Sequence, residues 1–462
     1  MLAKLKKKYI GDWDFYQKYL LLAIPMILQN AITNLVSFLD NIMVGQLGTE
    51  QMSGVAIVNQ LIFVYNLAIF GAVSAASIFG AQYFGKGNHK GHMYSFRFKL
   101  YATLLVTGGA ILLFLTKGSA LISLYLTDTV GNGATDLALQ YGLEYLAIMM
   151  VGLIPFAVNQ SYATNIKETG QTFIPMLASF VAVGTNAILD YLMIFGIGPF
   201  PELGVQGAAL ATVIARYIEA LIVVIWAHIH RGKNRYLEGA YTGFGIPLAE
   251  LKAILIKGFP LMMNEVLWAA GMTTVTQCYS VRGLDVVAGL NIASTITNLF
   301  NIVYLQLGSC ISIVVGQYLG GGKLEDAKDA DNKMIVFSVF CCAIMAVLMF
   351  VVGGFFPGIY NTTEEIRELA TSFIAVSAII MPFCAFSHAS YFTLRSGGKT
   401  VVTFLFDSVF TWVIVVPVAY LLAHFTGLGI VSIYFLVQGT ELIKVIIGYL
   451  MVKSNVWVVQ MV

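Results

Sequence analysis

Twelve stretches of about twenty largely apolar residues follow one another along this chain, and they leave little choice of fold class. Leu104–Leu115, Ile335–Phe356 and Val409–Ala423 are examples. Only α-helices and closed β-barrels can satisfy their backbone groups inside hydrocarbon. Period-2 alternation is absent, which removes the barrel. Of the 462 residues 58% are apolar and 11% charged, against roughly 25% charged in soluble proteins. Such a chain has too little charge to cover a water-facing surface. The expected structure is an all-α integral membrane protein with twelve transmembrane helices over 17–43, 52–83, 94–115, 137–157, 162–196, 204–228, 250–280, 286–318, 333–355, 366–391, 400–423 and 429–452.

The charges test that count. With both termini in the cytoplasm, every Lys and Arg of the 26 except Lys117, Arg282, Arg367 and the intramembrane Arg216 falls in or towards cytoplasmic segments. That is the asymmetry the positive-inside rule requires, and a missed helix would invert it. The net charge of +2 gives no reason to expect a nucleic-acid partner. Lys4, Lys6, Lys7 and Lys8 precede an apolar run beginning near Tyr19; no cleavage site follows it, so it reads as a retained first helix. The cysteines, Cys278, Cys310, Cys341, Cys342 and Cys384, lie in apolar runs without C-x-x-C spacing and read as buried thiols, with no disulfide or metal site.

The two halves of the chain repeat. At a shift of 235, residues 25–87 align with 260–322 without a gap: Pro25 falls on Pro260, Gly48 on Gly283, Gly54 on Gly289 and Asn66 on Asn301. Gln82-Tyr83-Phe84-Gly85-Lys86-Gly87 falls on Gln317-Tyr318-Leu319-Gly320-Gly321-Gly322, and at a shift of 228 Thr169-Gly170-Gln171-Thr172 matches Gly397-Gly398-Lys399-Thr400. Unrelated helices would share apolar residues but not this register of Gly, Pro, Asn and Gln. Two pseudo-symmetric six-helix lobes in the same orientation are a parallel repeat, common among secondary transporters. The N-lobe is expected over 1–230, a cytoplasmic linker over 231–247 and the C-lobe over 248–462.

Ionisable residues inside spans are costly and usually face a cavity or a partner. Asp40 and Asp190 are the sharpest pair. Asp40 precedes Val44 by four residues and Asp190 precedes Gly196 by six, which at about 1.5 Å per residue places them at similar depth in the outer half of the N-lobe. Carboxylates so placed can exchange a proton or bind a sodium ion. Asn186, four residues before Asp190, shares its helix face and reads equally as a cation ligand or a helix–helix hydrogen bond. Glu265, mid-span in the seventh helix, corresponds to Asn30 and is a possible second coupling or substrate site. Asp407 is expected to snorkel to water. His388 could shuttle protons but reads first as a hydrogen-bonded packing histidine, and His89 and His92 read as part of a solvated basic loop. Arg216 with Glu219, and Glu441 with Lys444, are spaced i, i+3 and superimpose at a shift of 225 with signs exchanged, which suggests a paired, cavity-lining ion pair in each lobe. Gly398-Lys399-Thr400 ends like a phosphate loop, but Thr393 stands where that motif needs its first Gly.

Several motifs resemble one family. Asp40-Asn41-Ile42-Met43-Val44-Gly45-Gln46-Leu47-Gly48 is similar to the first-helix signature of multidrug and toxic compound extrusion (MATE) transporters. Asn186-Ala187-Ile188-Leu189-Asp190-Tyr191, Phe195-Gly196 and Leu203-Gly204-Val205-Gln206-Gly207-Ala208-Ala209-Leu210-Ala211-Thr212 resemble its fifth-to-sixth-helix signature. Leu394-Arg395-Ser396-Gly397-Gly398-Lys399-Thr400 and Trp457 also fit. The resemblance implies a V-shaped pair of lobes and antiport of cationic or amphipathic compounds against protons or sodium. By motif, Asp40, Asn186, Asp190 and Thr212 match the N-lobe cation and proton site, Pro25 a first-helix kink, and Glu265 the seventh-helix glutamate of the sodium-coupled NorM-type branch. The tenth-helix aspartate of that branch is Cys384 here, which shifts the expectation of coupling towards the N-lobe.

The expected function is cation-coupled export of small organic compounds across the cytoplasmic membrane by a monomer, with membrane lipid around it and no cofactor beyond the coupling proton or sodium ion. A lipid-linked saccharide flippase of the same superfamily is the alternative; it would need a cavity lined by many Arg and Lys, whereas Arg216 and Lys444 are the mid-span cations. No metal cluster or nucleophile–base set suggests an enzyme.

Overall fold

In the computed structural model the described residues are 9–126, 134–243 and 245–462, with the side chains at 36, 38 and 134 outside the description. Lys4, Lys6, Lys7 and Lys8 lie outside it. Among the described residues there is no strand. Twelve helices are long and apolar enough to cross a membrane: α1 Trp13–Gly45, α2 Thr49–Lys86, α3 His89–Ser123, α4 Ala134–Glu168, α5 Phe173–Ile194, α6 Val205–Ile229, α7 Leu248–Ser280, α8 Leu284–Gly320, α9 Leu324–Gly353, α10 Glu364–Ser396, α11 Thr400–Phe425 and α12 Ile430–Lys453. The count matches the expectation. The fourth helix runs eleven residues further than expected, to Glu168, and the fifth starts at Phe173 instead of 162. Asn165 and Glu168, expected in the fifth helix, end the fourth, where both accept from Lys99, and Gly170 at positive φ makes the turn.

The repeat is visible in the backbone. Paired turns use glycine at positive φ: Gly48 (143°) and Gly283 (128°), Gly87 and Gly322 (73° each), Gly170 (83°) and Gly398 (69°). An L side chain rarely adopts these angles, so the sequence register fixes where helices end in both halves.

The chain divides into two compact units, one made of Ile24–Gly80 and His89–Lys252, the other of the chain up to Ala23 with Ala81–Asn88 and Ala253–Val462. In the first unit, Val58, Ile69, Leu153, Ile194 and Ala209 form the centre of one apolar cluster, and Phe96, Ile166, Val223 and Tyr236 that of another. The interval 231–247 is built into that unit. The Arg97 guanidinium on α3 donates to the carbonyls of Ala240, Gly245 and Gly239 at 2.6–2.9 Å, and Tyr236 is buried. Five donors in a rigid fork suit Arg to gathering several acceptors at once.

In the second unit the ends of α2 and α8 cross at backbone contact. A β-carbon on Gly85 would overlap the Gln317 carbonyl, and one on Gly320 would overlap that of Gln82, a reciprocal pairing of repeat-equivalent residues. The segment after α12 closes over this crossing. Gln82 Nε2 donates to Ser396 O and Val459 O, the Met461 amide donates to Gln82 Oε1, and Gln460 Nε2 donates to Gly320 O. Gly85→Val or Gly320→Val is therefore expected to lower thermal stability in detergent by about 1–3 kcal/mol or more, the usual cost of overpacking. Gly108→Ala on α3, where a β-carbon meets nothing within 4 Å, should be neutral or stabilising by up to about 1 kcal/mol. Equal melting temperatures for the three variants would contradict the crossing.

Candidate functional site

The site lies in the first unit, on α1, α5 and α6. On α5, Ser179, Ala182, Asn186 and Asp190 are buried while Val181, Ile188 and Tyr191 are exposed. That 3.6-residue spacing gives the helix one polar inner stripe between apolar flanks. Gly196 and Gly204, both at positive φ, turn the chain back so that α6 lies along α5. Pro25 is buried within α1, where its missing N–H removes one helical hydrogen bond and loosens the helix below Asp40.

The predicted residues come together. Asp40 and Asp190 are neighbours, with Asn186 beside Asp190, and Asn186 Nδ2 donates to Thr212 Oγ1 at 3.4 Å. Asp190 is 1% exposed. Neither of its carboxylate oxygens has a hydrogen-bond partner, nor has Asp40 Oδ1. Buried polar atoms are normally satisfied, so two adjacent carboxyl groups with spare acceptors form a place for a proton or a small cation. Tyr145 on α4, which sequence reasoning missed, faces the same pair and donates to Asn59 Oδ1 at 3.3 Å. The repeat supplies a control: at the shifts of 235, 228 and 225, Asp40, Asn186, Asp190 and Thr212 fall on Val275, Ile414, Val418 and Val437. The second half keeps the helices and replaces the whole polar set by apolar side chains.

Glu265 sits on α7, half-buried, within electrostatic reach of Arg395 on α10 and Asp407 on α11. It forms no ion pair among the described residues. Cys384, at the tenth-helix position, offers its carbonyl to His388 Nδ1 at 2.9 Å, and His388 packs on Tyr304.

Several expectations need correction. Asp407 does not snorkel: it accepts from Lys444 Nζ at 2.6 Å and from Asn264 Nδ2 at 3.0 Å, and α11 is π-helical over Leu405–Val409, a local widening often found where a side chain must be re-aimed. The ion pairs within α6 and α12 do not form. Arg216 donates to Gly152 O and lies over the Phe156 ring, Glu219 accepts from Ser179, and Lys444 turns to Asp407, because a partner across a helix interface satisfies a buried charge where the i, i+3 neighbour points along the surface. His92 is not solvated. It is 1% exposed and faces Glu168 at 3.3 Å, which also pairs with Lys99 at 2.5 Å.

Comparison with known proteins agrees with this geometry. The chain matches the MatE family over residues 25–192 and 260–421. It is 23% identical to the probable multidrug resistance protein NorM of Thermotoga maritima, covering 89% of this chain and 86% of the relative. With the probable NorM of Halalkalibacterium halodurans it shares 24% identity over 89% and 88% of the two chains. A multidrug resistance MATE family transporter solved in an outward-facing conformation superposes with a TM-score of 0.85 at 20% identity over 96% of both chains, and a MOP superfamily transporter from Pyrococcus furiosus does so with 0.85 at 20% over 97% of both. The chain belongs to the MatE family of multidrug and toxic compound extrusion transporters, and it is a multi-pass membrane transporter, not an enzyme.

Proposed function

We propose that this transporter exports small organic compounds, cationic or amphipathic, across the cytoplasmic membrane in exchange for protons or sodium ions, with both termini cytoplasmic and the single chain as the working unit. Asp40, Asn186, Asp190 and Thr212 are its coupling site. The observation that carries the reading is the adjacent pair of buried Asp190 and half-buried Asp40, with unpartnered buried oxygens, in the first half and their apolar replacements in the second. Two carboxylates side by side in a poorly hydrated bundle repel each other strongly. A proton or sodium ion between them removes that repulsion and lets α1 and α5 pack more closely. The organic substrate and the coupling ion then act on one two-state element, and each shifts the affinity of the other. Pro25 supplies the compliant point in α1 through which such a change is absorbed. The multidrug resistance names of the relatives support the substrate class.

The test is flux of a fluorescent organic cation in proteoliposomes under an imposed proton gradient or an imposed sodium gradient. Export driven by neither refutes the coupling. Glu265→Gln is expected to reduce gradient-driven export only partially, by less than about tenfold, because Cys384 denies it a second acidic ligand and one carboxylate alone holds a cation weakly. Complete loss in that variant, at normal yield, moves coupling to the second half.

A further inference from the structure

The repeat relates two polar clusters that the coupling site does not use. In the first unit, Gln29 Nε2 on α1 donates to Ser179 Oγ on α5 at 2.7 Å, and that hydroxyl donates to Glu219 Oε1 on α6. In the second unit, Asn264 on α7 donates to Asp407 on α11, which accepts from Lys444 on α12. Gln29 falls on Asn264 at the shift of 235, Ser179 on Asp407 at 228 and Glu219 on Lys444 at 225. The same three-helix junction is therefore built twice, and a contact ion pair closes it once. Asp407 and Lys444 neutralise each other, whereas Ser179 brings no charge to Glu219.

Glu219 makes no salt bridge at contact distance among the described residues, and Lys167 and Arg216 act on it only from further away. Arg216 on its own helix is spent on the Gly152 carbonyl and the Phe156 ring. Asn159 of α4 is also near it. Gln29 Oε1, in the same hydrogen-bonded chain, is a buried acceptor without a donor. A buried acceptor without a donor and a carboxyl group without a cation in contact thus stand where the other half places its own ammonium.

We propose that Glu219 is a second exchangeable-charge site, which takes from outside the protein the positive charge that Lys444 supplies internally: a proton, or the cationic centre of a lipophilic organic cation. Ser179 and Glu219 lie eleven residues along α5 and about seven along α6 from Asp190 and Thr212 respectively, so on a rise of about 1.5 Å per residue the two charge sites are separate stations on one helix pair. The inference builds on the reading of this chain as a cation-driven exporter, but occupancy of Glu219 is measurable without any gradient.

The experiment compares wild type, Glu219→Gln and the double variant Ser179→Asp/Glu219→Lys in detergent, by tetraphenylphosphonium binding and by mass-spectrometric detection of Glu219 labelling with a lipophilic carbodiimide, whose nitrogen takes the proton of a protonated carboxyl group while the carboxyl oxygen adds to its central carbon. If the organic cation is the source, tetraphenylphosphonium protects Glu219 from labelling and Glu219→Gln weakens its binding at least about tenfold, a modest share of what a close charge pair supplies in a half-buried site. If the proton is the source, labelling of Glu219 is strong at acid pH, fades as pH rises, and is indifferent to tetraphenylphosphonium. The double variant installs the second half's compensated pair; it should fold and show the binding of Glu219→Gln. Absence of labelling at every pH together with unchanged binding in both variants overturns the proposal and leaves Glu219 a packing hydrogen-bond acceptor. Because no arm uses a gradient, that result would leave Asp40 and Asp190 as coupling residues untouched, and failure of gradient-driven export in the wild type would leave the binding result standing.

Discussion

Asp190→Asn, purified and reconstituted, is expected to lose gradient-driven export down to the rate of protein-free vesicles, with unchanged yield and insertion. Asparagine has nearly the shape of aspartate, and Asp190 makes no hydrogen bond through either oxygen that the substitution could break. Removing a buried, unpaired carboxyl group relieves repulsion with Asp40, so the melting temperature should hold or rise. What disappears is the ability to bind and release a positive charge, and with it the link between the ion gradient and the conformational equilibrium. Asp40→Asn should behave alike, while affinity for an organic cation in a single state survives in both. Full export in Asp40→Asn beside complete loss in Glu265→Gln would place coupling in the second half of the chain.

That Asp40 and Asp190 would meet was legible before any coordinates, for a physical reason. Aspartates inside apolar runs are rare enough to stand out, and both sit inside motifs whose neighbours fix their depth. The helix count was legible because hydrocarbon thickness and charge asymmetry constrain it twice. The pairs that hold the bundles together were not. Lys99 and Glu168 are 69 residues apart, and Glu168 falls at a helix end where polar residues ordinarily meet water. Asp407 looked solvated for the same reason, since nothing local announces Lys444 on the next helix. Periodicity reports which face of a helix is polar, but not which helix that face will meet. The repeat held the missing signal. Carrying Gln29, Ser179 and Glu219 through the three shifts that align the halves lands on Asn264, Asp407 and Lys444, and a set that repeats as polar in all three members marks a junction between helices.

Lys444→Met tests that junction where it is charge-balanced. Lys444 and Asp407 are 9% and 15% exposed, and Asn264 offers Asp407 only an amide. Deleting the ammonium leaves a carboxylate in the bundle without its counter-ion, and also strips charge from beside Glu441, whose Oε1 is already buried and unpartnered. The expected loss is about 3–5 kcal/mol of stability, as for other buried pairs broken on one side, read as a large fall in melting temperature and in detergent-extracted yield. Asp407→Asn/Lys444→Met removes both charges, and most of the loss should return, since replacing a whole buried pair by neutral groups is often neutral or stabilising by about 1–4 kcal/mol. Recovery of folding together with gradient-driven export would mean that Asp407 and Lys444 serve only to balance each other. Recovery of folding without export would mean instead that the second half also needs its charges to move. A double variant as unstable as Lys444→Met would show that the geometry of the ion pair, and not its neutrality, holds α7, α11 and α12 together.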